Sequence, residues 1–289
     1  MKNEKISIVV PVYNEEKAIA EDLKKIKSVM DSSTYDYEII VVNDGSNDGT
    51  ECILKNIDYI KLISHVENRG VGAARKTGIK KSSGEIIVMT DGDGSYPNDR
   101  IPDLISEMEH YDMVVGARKK EAGTLRFLRS FAKLFIRKLA EYISGSKIPD
   151  LNSGMRVFKK SIALKYFGIL PEGHSWVSTI TLAFLCNAHY VKFVPINYFP
   201  RKGKSSFHPI KDTSSYFGLV IRTIMYFKPL KIFVPLTIMI LGWGVLRSIY
   251  DATVLHRIKE SDIMIFLTGL ITGAIGLLAD LIVKVTKKE

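Results

Sequence analysis

The sequence predicts an α/β protein: a doubly wound, mostly parallel sheet, then amphipathic helices at a membrane surface, then a C-terminal hairpin of two transmembrane helices. The first part of the chain alternates Ile/Val-rich runs with helix-like segments, which is typical of a parallel sheet covered by helices on both faces. Near the C-terminus, two long uncharged runs each approach the ~20 residues needed to cross a hydrocarbon core. These two observations define the expected architecture.

Five segments in the first part of the chain are predicted to be strands. Most of them are near-continuous runs of Ile and Val, as expected for strands that are buried on both faces. The predicted strands are Ile6–Val12, Tyr37–Asn43, Tyr59–His65, Glu85–Thr90 and Asp112–Ala117. Helices are expected between them, around residues 16–30, 48–57, 71–81 and 99–109.

Acidic turns follow three of the predicted strands. The first strand is followed by "YNEE", the second by "NDGSNDG" and the fourth by "DGDGS". In an open α/β sheet, ligands bind outside the carboxyl ends of the strands. The three turns therefore predict one ligand site at that edge of the sheet.

The turn "DGDGS" is the candidate metal site. Asp91 and Asp93 offer the hard oxygen ligands that Mg²⁺ or Mn²⁺ takes when substrate phosphates complete its shell. Gly92 and Gly94 remove side chains where the backbone must turn close to a ligand. An ordinary surface turn is the alternative, since Asp and Gly are common turn residues. Asp44, after the second strand, is placed to accept a hydrogen bond from a base or a ribose.

The composition suggests a partner that carries negative charge. The chain has 289 residues, 46% of them hydrophobic, and a formal net charge of +10. Phosphorylated substrates and acidic lipid headgroups suit that charge, and we expect them rather than nucleic acid. The only cysteines, Cys52 and Cys186, lie in unrelated contexts and indicate a reducing compartment. The N-terminal apolar run is too short for a signal peptide, so we expect the first domain to stay in the cytosol.

The two apolar runs predict transmembrane helices at about 232–250 and 263–283. Buried helices of a soluble domain are the alternative. Lysines cluster at the outer ends of the runs, and the loop between them has a mixed charge, so both termini are expected in the cytoplasm. The expected domains are a catalytic domain at 1–210, a juxtamembrane helix at 211–229 and the hairpin at 230–289. The clustered lysines are Lys228, Lys231, Lys284, Lys287 and Lys288.

A basic amphipathic helix is expected at about 124–143. Apolar residues recur there at helical spacing, and residues 118–143 contain eight basic side chains against two acidic ones. Such a helix lies in the plane of a membrane surface, with its cations among the phosphates. A helix packed on the protein core with a solvated basic face is the alternative. Residues 213–227 are a second candidate for a helix at the membrane surface.

The ordered motifs "VVPVYNEE", "VVNDGSNDGT", "NRGVGAARKTGI" and "DGDGSYP" resemble those of family 2 glycosyltransferases with the GT-A fold. Downstream, "GAR", "DLNSGMRVFKK" and "RKGKSS" resemble the polyprenyl-phosphate branch, typified by dolichol-phosphate mannose synthase. The resemblance covers roughly residues 5–230. It implies that Asp91 and Asp93 hold the metal and the diphosphate. It also implies a nucleotide site formed by Pro11, Tyr13, Asn14, Glu15 and Asp44.

An acceptor with a phosphate head would be held by arginine, whose planar fork binds phosphate oxygens bidentately. The resemblance assigns Arg118 and the Arg126–Ser130 stretch, with Arg126, Arg129 and Ser130, to this role. Asp150, in "DLNSGMR", is the candidate to orient the acceptor or to act as base, and a turn aspartate is the alternative. The remaining candidates are Arg156, which pairs with Asp150 or with phosphate, and Arg201 and Lys204, which close over the donor diphosphate.

Three positions depart from the mannose synthase pattern. Ser95 stands where a glutamine often follows the second metal aspartate, and it is a candidate metal ligand beside Asp91 and Asp93. Thr179 replaces a glutamate, so the sugar specificity of the mannose synthases does not transfer. Ser206 replaces a second lysine. Because both metal aspartates remain, we interpret these changes as variation within the family.

The expected activity is transfer of one hexose, with inversion, from a UDP- or GDP-sugar to a dolichyl or undecaprenyl phosphate, with Asp93, Asp150 and Arg156 as catalytic residues. Diacylglycerol or a growing polysaccharide is the alternative acceptor, and an inactive membrane scaffold is a further alternative. The segment "GVGAAR" does not fit a dinucleotide-binding motif well, because Arg75 stands where that motif has its third glycine. Gly269, Gly273 and Gly276 are expected to permit close helix packing, within the hairpin or in a homo-oligomer.

Overall fold

The computed structural model describes residues 4–119, 137–173, 175–202 and 225–286. Its contacts divide the chain into two compact units, Met1–Leu219 and Val220–Glu289. Each unit is described by itself below. The domain boundaries expected at residues 210 and 229 stay predictions.

The first unit contains a seven-stranded sheet in the order β3-β2-β1-β4-β6-β5-β7. Among the described strands, β6 pairs antiparallel with both β4 and β5, whereas the other pairs are parallel. This arrangement confirms the predicted mostly parallel, doubly wound sheet. The strands are β1 (Ile6–Val12), β2 (Tyr37–Asn43), β3 (Lys61–Ser64), β4 (Ile86–Met89), β5 (Met113–Arg118), β6 (Arg156–Lys159) and β7 (Val191–Ile196).

Helices connect these strands close to the predicted places. The helix predicted at 71–81 has those bounds, whereas the one predicted at 99–109 is a short helix between two 3-10 turns. The helix after β1 begins at Ile19, because the chain first forms the turn that enters the site. The helices of this unit are Ile19–Asp31, Thr50–Lys55, Val71–Lys81, Ile101–Ser106, residues 137–144, Lys160–Lys165 and Trp176–Cys186.

The two faces of the sheet form two hydrophobic clusters. Because side chains alternate along a strand, Ile8 and Val10 of β1 pack with the helix Ile19–Asp31 on one face. Val9 points to the other face and packs with Ile79 and Trp176. All seven residues of β1 are buried, as required of a strand covered on both sides.

Strands β6 and β7 were not among the predicted strands. β6 has four residues and begins with an arginine, so it carries little of the apolar run that predicts a buried strand. β7 lies at the sheet edge, and most of its side chains are half-buried or exposed. The insertion of β6 between β4 and β5 depends on pairing between distant segments, which local sequence does not encode.

The second unit contains the helices Leu230–Val254 and Glu260–Thr286, both long and apolar enough to cross a membrane. They pack as a hairpin, which confirms the predicted pair of helices. A Cβ added at Gly269 would lie 2.5 Å from Leu241, and one added at Gly276 would overlap Phe233. The glycines therefore allow the two helices of one hairpin to approach closely. The predicted homo-oligomer gains no support from them and stays a prediction.

Buried charges lie where the two hairpin helices meet their connecting turn. Asp251 and Asp262 are 1% and 0% exposed. Asp262 accepts a hydrogen bond from the Lys259 backbone N–H at 3.1 Å, and the Arg247 Nε lies 3.5 Å from its other oxygen. The Lys259 ammonium lies 3.3 Å from Asp251. These contacts fix the turn.

The described part of the expected amphipathic helix, residues 137–144, is helical. Ala140 and Ile143 there are 0% and 1% exposed, so this end of the helix packs on the protein, as in the alternative considered above. Residues 124–136 and 213–224 lie outside the described residues, and a position at the membrane surface stays a prediction for both segments.

Candidate active site

The acidic turns after β1 and β2 are joined by hydrogen bonds. The backbone N–H of Asn14 donates to Ser46 Oγ at 3.0 Å, and that of Asn47 donates to Asn14 Oδ1 at 2.9 Å. The backbone N–H of Glu15 donates to Thr50 Oγ1 at 2.9 Å. Asn14 has a φ of 57°, a conformation that asparagine tolerates better than most residues. The two turns therefore form one wall of the site.

Asp44, at the end of β2, is the centre of a hydrogen-bond network and is 2% exposed. Its Oδ1 lies 2.6 Å from His65 Nδ1 and accepts the Arg69 backbone N–H at 3.1 Å. Its Oδ2 accepts the Gly70 backbone N–H at 2.8 Å. The His65 ring also contacts Thr77 Oγ1 at 2.9 Å. Asp44 thus fixes the start of the helix Val71–Lys81, and its contact with a nucleotide stays a prediction.

The turn after β4 brings the two candidate metal ligands to the same edge. Gly94 has a φ of 77°, which favours glycine, and its backbone N–H donates to Asp22 Oδ2 at 2.7 Å. Ser95 is 0% exposed, and both its backbone N–H and its hydroxyl donate to Asp93 Oδ1. Ser95 therefore orients Asp93, and its role as a metal ligand stays a prediction.

Asp91 is paired with an arginine that the sequence did not single out as functional. Arg75 Nη2 lies 2.9 Å from Asp91 Oδ1, and the Arg75 side chain is 5% exposed. The guanidinium lies over the Trp176 ring, with 5.6 Å from Cζ to the ring centroid. Gly154 approaches from the other side, where a Cβ would lie 3.2 Å from Asp91 Oδ1. Asp91 thus lies between the helix Val71–Lys81 and the loop that precedes β6.

Arg201 pairs with two carboxylates of the site. Its Nη2 donates to Glu15 Oε1, and its Nε lies 3.6 Å from Asp93 Oδ2. The segment that carries it is attached to the metal turn by its backbone: Phe199 N–H donates to the Ser95 carbonyl at 2.9 Å, and Lys202 N–H donates to the Asp93 carbonyl at 3.0 Å. Arg201 therefore faces the acidic turn, and its contact with a donor diphosphate stays a prediction.

Burial and mutual repulsion make these carboxylates hard to ionise. Burial raises the pKa of Glu15 to about 7; Arg201 opposes the shift, and Asp93 and Asp91 add to it. Burial and the charge of Asp91 raise the pKa of Asp93. Burial also raises the pKa of Asp22 to about 6. A bound cation would favour the ionised form of these carboxylates.

A divalent cation suits this cluster of carboxylates. Glu15 Oε2 is buried with no hydrogen-bond partner among the described residues, so one carboxylate oxygen of the cluster is unsatisfied. Within the described ranges, no group of three or more His, Cys, Asp and Glu side chains is arranged to hold a metal ion. Mg²⁺ commonly takes only one or two protein carboxylates and completes its shell with phosphate and water. Asp91 and Asp93 suit that mode of binding.

Arg118 and Asp150 form a second charged group at the same edge of the sheet. Arg118 ends β5, which runs parallel to β4 because both are antiparallel to β6. Its Nε and Nη2 donate to the two oxygens of Asp150 at 2.7 and 3.0 Å. Although burial opposes ionisation, hydrogen bonds and charge from Arg118 hold the pKa of Asp150 below its ordinary value. The acceptor candidates predicted from the sequence are therefore in direct contact.

Arg156 is 0% exposed and lies beneath the site. Its guanidinium donates to the carbonyls of Ser153 and Val177 and to Thr181 Oγ1. Burial, followed by the charge of Arg75, lowers the pKa of Arg156 to about 9. These contacts join the helix Trp176–Cys186 to the loop that holds Asp150. Its predicted pairing with Asp150 is not among its contacts, and a catalytic role stays a prediction.

The other predicted residues fall into two groups. Pro11 is buried within β1 and Tyr13 is half-buried just after it. Thr179 is 2% exposed, and its hydroxyl donates to the Ser175 carbonyl at 3.0 Å. The remaining predicted residues lie outside the described residues; they are Arg126, Arg129, Ser130, Lys204 and Ser206.

Two family profiles match the chain. The profile of glycosyl transferase family 2 matches residues 7–167, and the profile of the GtrB C-terminal hairpin matches residues 228–285. The chain is 26% identical over 248 residues to an undecaprenyl-phosphate 4-deoxy-4-formamido-L-arabinose transferase of Pseudomonas fluorescens, covering 83% of this chain and 71% of that one.

Two other relatives are matched over a shorter part of their length. A dodecaprenyl-phosphate galacturonate synthase of Rhizobium johnstonii is 29% identical, over 60% of this chain and 52% of its own. A bactoprenol glucosyl transferase of Shigella phage SfV is 32% identical, over 61% of this chain and 58% of its own. The chain thus spans a little over half the length of these two relatives.

The fold is that of solved GT-A enzymes. Glucosyl-3-phosphoglycerate synthase from Mycobacterium tuberculosis, in complex with Mn²⁺, UDP and phosphoglyceric acid, aligns with a TM-score of 0.61 at 19% identity, over 77% of this chain and 78% of that one. At that identity the likeness shows the fold alone. Because the family profile spans more than half of the chain, the protein belongs to glycosyl transferase family 2 and carries a C-terminal hairpin of the GtrB type.

Proposed function

We propose that this protein transfers one hexose from a UDP- or GDP-linked donor to a polyprenyl phosphate, with inversion, at the cytoplasmic leaflet of a membrane. The acceptor class is that named for the three relatives above. The main observation behind the proposal is that an acidic group and a basic group lie at the same edge of the sheet. Asp91 and Asp93 follow β4, and Arg118 ends the parallel strand β5.

The donor would lie across the carboxyl ends of β1, β2 and β4. Tyr13, Asn14 and Glu15 form the wall after β1, and Asp44 is close to that wall after β2. Asp91 and Asp93 would hold Mg²⁺ or Mn²⁺, which when bound stabilises the departing diphosphate as a Lewis acid. Arg201 already faces Glu15 and Asp93, so it is placed to contact the diphosphate.

The acceptor phosphate would be held by Arg118. In the reaction, an acceptor phosphate oxygen forms a bond to the anomeric carbon while the bond from that carbon to the diphosphate oxygen breaks. The nucleoside diphosphate leaves with the electron pair. A phosphate monoester has a second pKa near ~6, so the attacking oxygen is largely ionised at neutral pH. The chain's task is therefore to position two phosphates rather than to remove a proton.

The hairpin would attach the enzyme to the membrane that contains its acceptor. Its two apolar helices are 25 and 27 residues long, which is enough to span a bilayer twice. With lysines at the outer ends, the positive-inside tendency places both termini in the cytoplasm. A pair of helices is too small to form a translocation path alone, so we propose attachment and not lipid transport.

A donor screen tests the proposal. Full-length protein in detergent is incubated with Mg²⁺ or Mn²⁺, a short polyprenyl phosphate and each radiolabelled nucleotide sugar in turn. We expect a labelled lipid that mild acid cleaves, formed only when the lipid phosphate is present. Equal product with diacylglycerol in its place would establish the alternative acceptor, and no lipid product with any donor would refute the proposal.

A further inference from the structure

We propose that Asp150 is a positioning residue that orients the Arg118 guanidinium for the acceptor phosphate, and that it is not the base of the reaction. This inference rests on the proposed function. It decides between the two roles that the sequence left open for Asp150, orienting the acceptor or removing its proton.

All of the acceptor capacity of Asp150 is used within the protein. Its Oδ2 accepts the backbone N–H of Arg118 at 3.1 Å and the Nε–H at 2.7 Å. Its Oδ1 accepts Arg118 Nη2 at 3.0 Å and the backbone N–H of Asn152 at 3.0 Å. A carboxylate has about four lone-pair positions, and four donors occupy them. For Asp150 to accept a proton from the substrate, one of these hydrogen bonds would first have to break.

The surroundings keep this ion pair ordered. The side chains of Arg118 and Asp150 are 13% and 6% exposed, so water competes weakly for their charges. The guanidinium also lies over the Tyr198 ring, with 5.2 Å from Cζ to the centroid, and Tyr198 packs edge-on against Tyr96. Asp150 therefore fixes one edge of the guanidinium and an aromatic ring supports its plane.

The proposed reaction needs no base, but it does need an arginine that is correctly oriented to hold the acceptor phosphate. The contacts with Arg118 that lower the pKa of Asp150 also make it a weak proton acceptor at neutral pH. The acceptor phosphate needs no strong base because it is already largely ionised. A mutation that misplaces the reacting atoms by about 1 Å lowers the reaction rate on the order of a hundredfold. Loss of a residue that sets the geometry of Arg118 is expected to act in this way.

A double-mutant cycle tests the inference in the full-length enzyme. Asp150→Asn, Arg118→Ala and the double variant are compared by steady-state kinetics, with acceptor and donor varied separately. We expect each single change to raise the acceptor KM roughly tenfold to a hundredfold and to leave the donor KM within about twofold. Because Asp150 acts through Arg118, the double variant should be no worse than the poorer single variant.

Two further measurements separate positioning from proton removal. The pH profile of kcat for Asp150→Asn should keep the acid limb of the parent enzyme, whereas loss of a base would remove that limb. Added guanidine should partly restore Arg118→Ala, since Asp150 provides its docking site, and should not restore the double variant. Rescue of Arg118→Ala by guanidine can be measured even if the Asp150→Asn protein does not fold, because Arg118→Ala still contains Asp150.

Multiplicative losses in the double variant would overturn the inference, as would a lower kcat at unchanged acceptor KM with loss of the acid limb. Failure of guanidine to restore Arg118→Ala would also count against it. These outcomes leave the proposed function intact, because the parent enzyme still makes the lipid product. A parent enzyme that makes no such product with any donor removes the proposed function and, with it, this inference.

Discussion

At the scale of single residues, the carboxylates of the candidate site are paired with arginines within the described ranges. Arg75 pairs with Asp91, and Arg201 pairs with Glu15 and Asp93. Burial first, and then repulsion between the carboxylates, raises the pKa of Glu15 and Asp93, and Arg201 opposes both shifts. A divalent cation bound here would favour the ionised carboxylates, which links their electrostatics to the proposed chemistry.

Arg75 is the residue whose importance the sequence did not predict. Replacing it by Gln removes the charge that orients Asp91 and leaves that half-buried carboxylate without its partner. We expect kcat/KM for the donor to fall roughly tenfold to a hundredfold, the usual cost of losing a residue that orients a metal ligand. Steady-state kinetics with the donor varied at saturating acceptor measure the loss.

Lys81→Gln is the matched control for Arg75→Gln, since Lys81 lies in the same helix with its side chain exposed. It should retain nearly full activity. Thermal melting of both variants distinguishes a local defect from unfolding. A folded Arg75→Gln enzyme with full donor kcat/KM would show that Asp91 needs no orienting partner.

Glu15 gives the site a pH dependence whose sign is fixed. Its pKa is raised from 4.5 to about 7 in the folded protein, so the folded state binds the proton more tightly than the unfolded state. The resulting stabilisation is present below about pH 4.5 and is lost as the pH rises towards 7. Without metal, the Tm of the parent relative to that of Glu15→Gln should therefore fall across this interval.

Mn²⁺ provides the second arm of that experiment. A cation binds ionised carboxylates, so Mn²⁺ should raise the Tm of the parent more at pH 7.5 than at pH 5. Differential scanning fluorimetry measures both arms. An equal effect of Mn²⁺ at the two pH values, or a parent Tm that does not fall relative to Glu15→Gln, would contradict the assignment of these carboxylates.

Site residues in local sequence patterns could be predicted, whereas a residue placed by tertiary packing could not. Asp91, Asp93 and Asp44 follow buried strands in local patterns, so their place at one sheet edge could be predicted. The pairing of Asp91 with Arg75 depends on how the helix Val71–Lys81 packs across the sheet. The sequence gives one indication of this pairing. Arg75 follows two alanines, in a predicted helix whose small residues indicate close packing.

At the scale of elements, strands within Ile/Val-rich runs and the helices between them were predictable, whereas β6 and β7 were not. β1, β2 and β4 are runs of buried Ile and Val, and the hairpin helices exceed the length that soluble helices commonly reach. β6 is defined by its antiparallel pairing with β4 and β5. The order of strands in the sheet likewise depends on distant pairing.

The hairpin offers a test at this scale. Gly276→Val places a side chain where a Cβ would lie 2.9 Å from Phe233 Cγ, whereas Gly242→Val adds one where nothing lies within 4 Å. Overpacking costs about 1–3 kcal/mol, so Gly276→Val should lower the Tm of the full chain in detergent and Gly242→Val should not. Equal effects of the two changes would show that the glycines do not hold the helices together.

At the scale of the whole molecule, the proposal requires a catalytic unit in the cytoplasm and a hairpin turn on the opposite side of the membrane. Cysteine labelling tests this topology in a Cys52→Ser background, because Cys52 is exposed and Cys186 is buried. Arg257→Cys, in the exposed turn, should react with an impermeant maleimide in intact cells. Glu4→Cys should react only after permeabilisation, and the reverse pattern would refute the proposed orientation.

The most direct test of the central claim is to locate the cation. Crystals of the full-length enzyme soaked with Mn²⁺ and the donor nucleotide sugar would be measured at the manganese absorption edge. We predict one anomalous peak within coordination distance of Asp91 or Asp93 and of the donor diphosphate. A peak away from both carboxylates, or none at saturating Mn²⁺ with donor bound, would contradict the account.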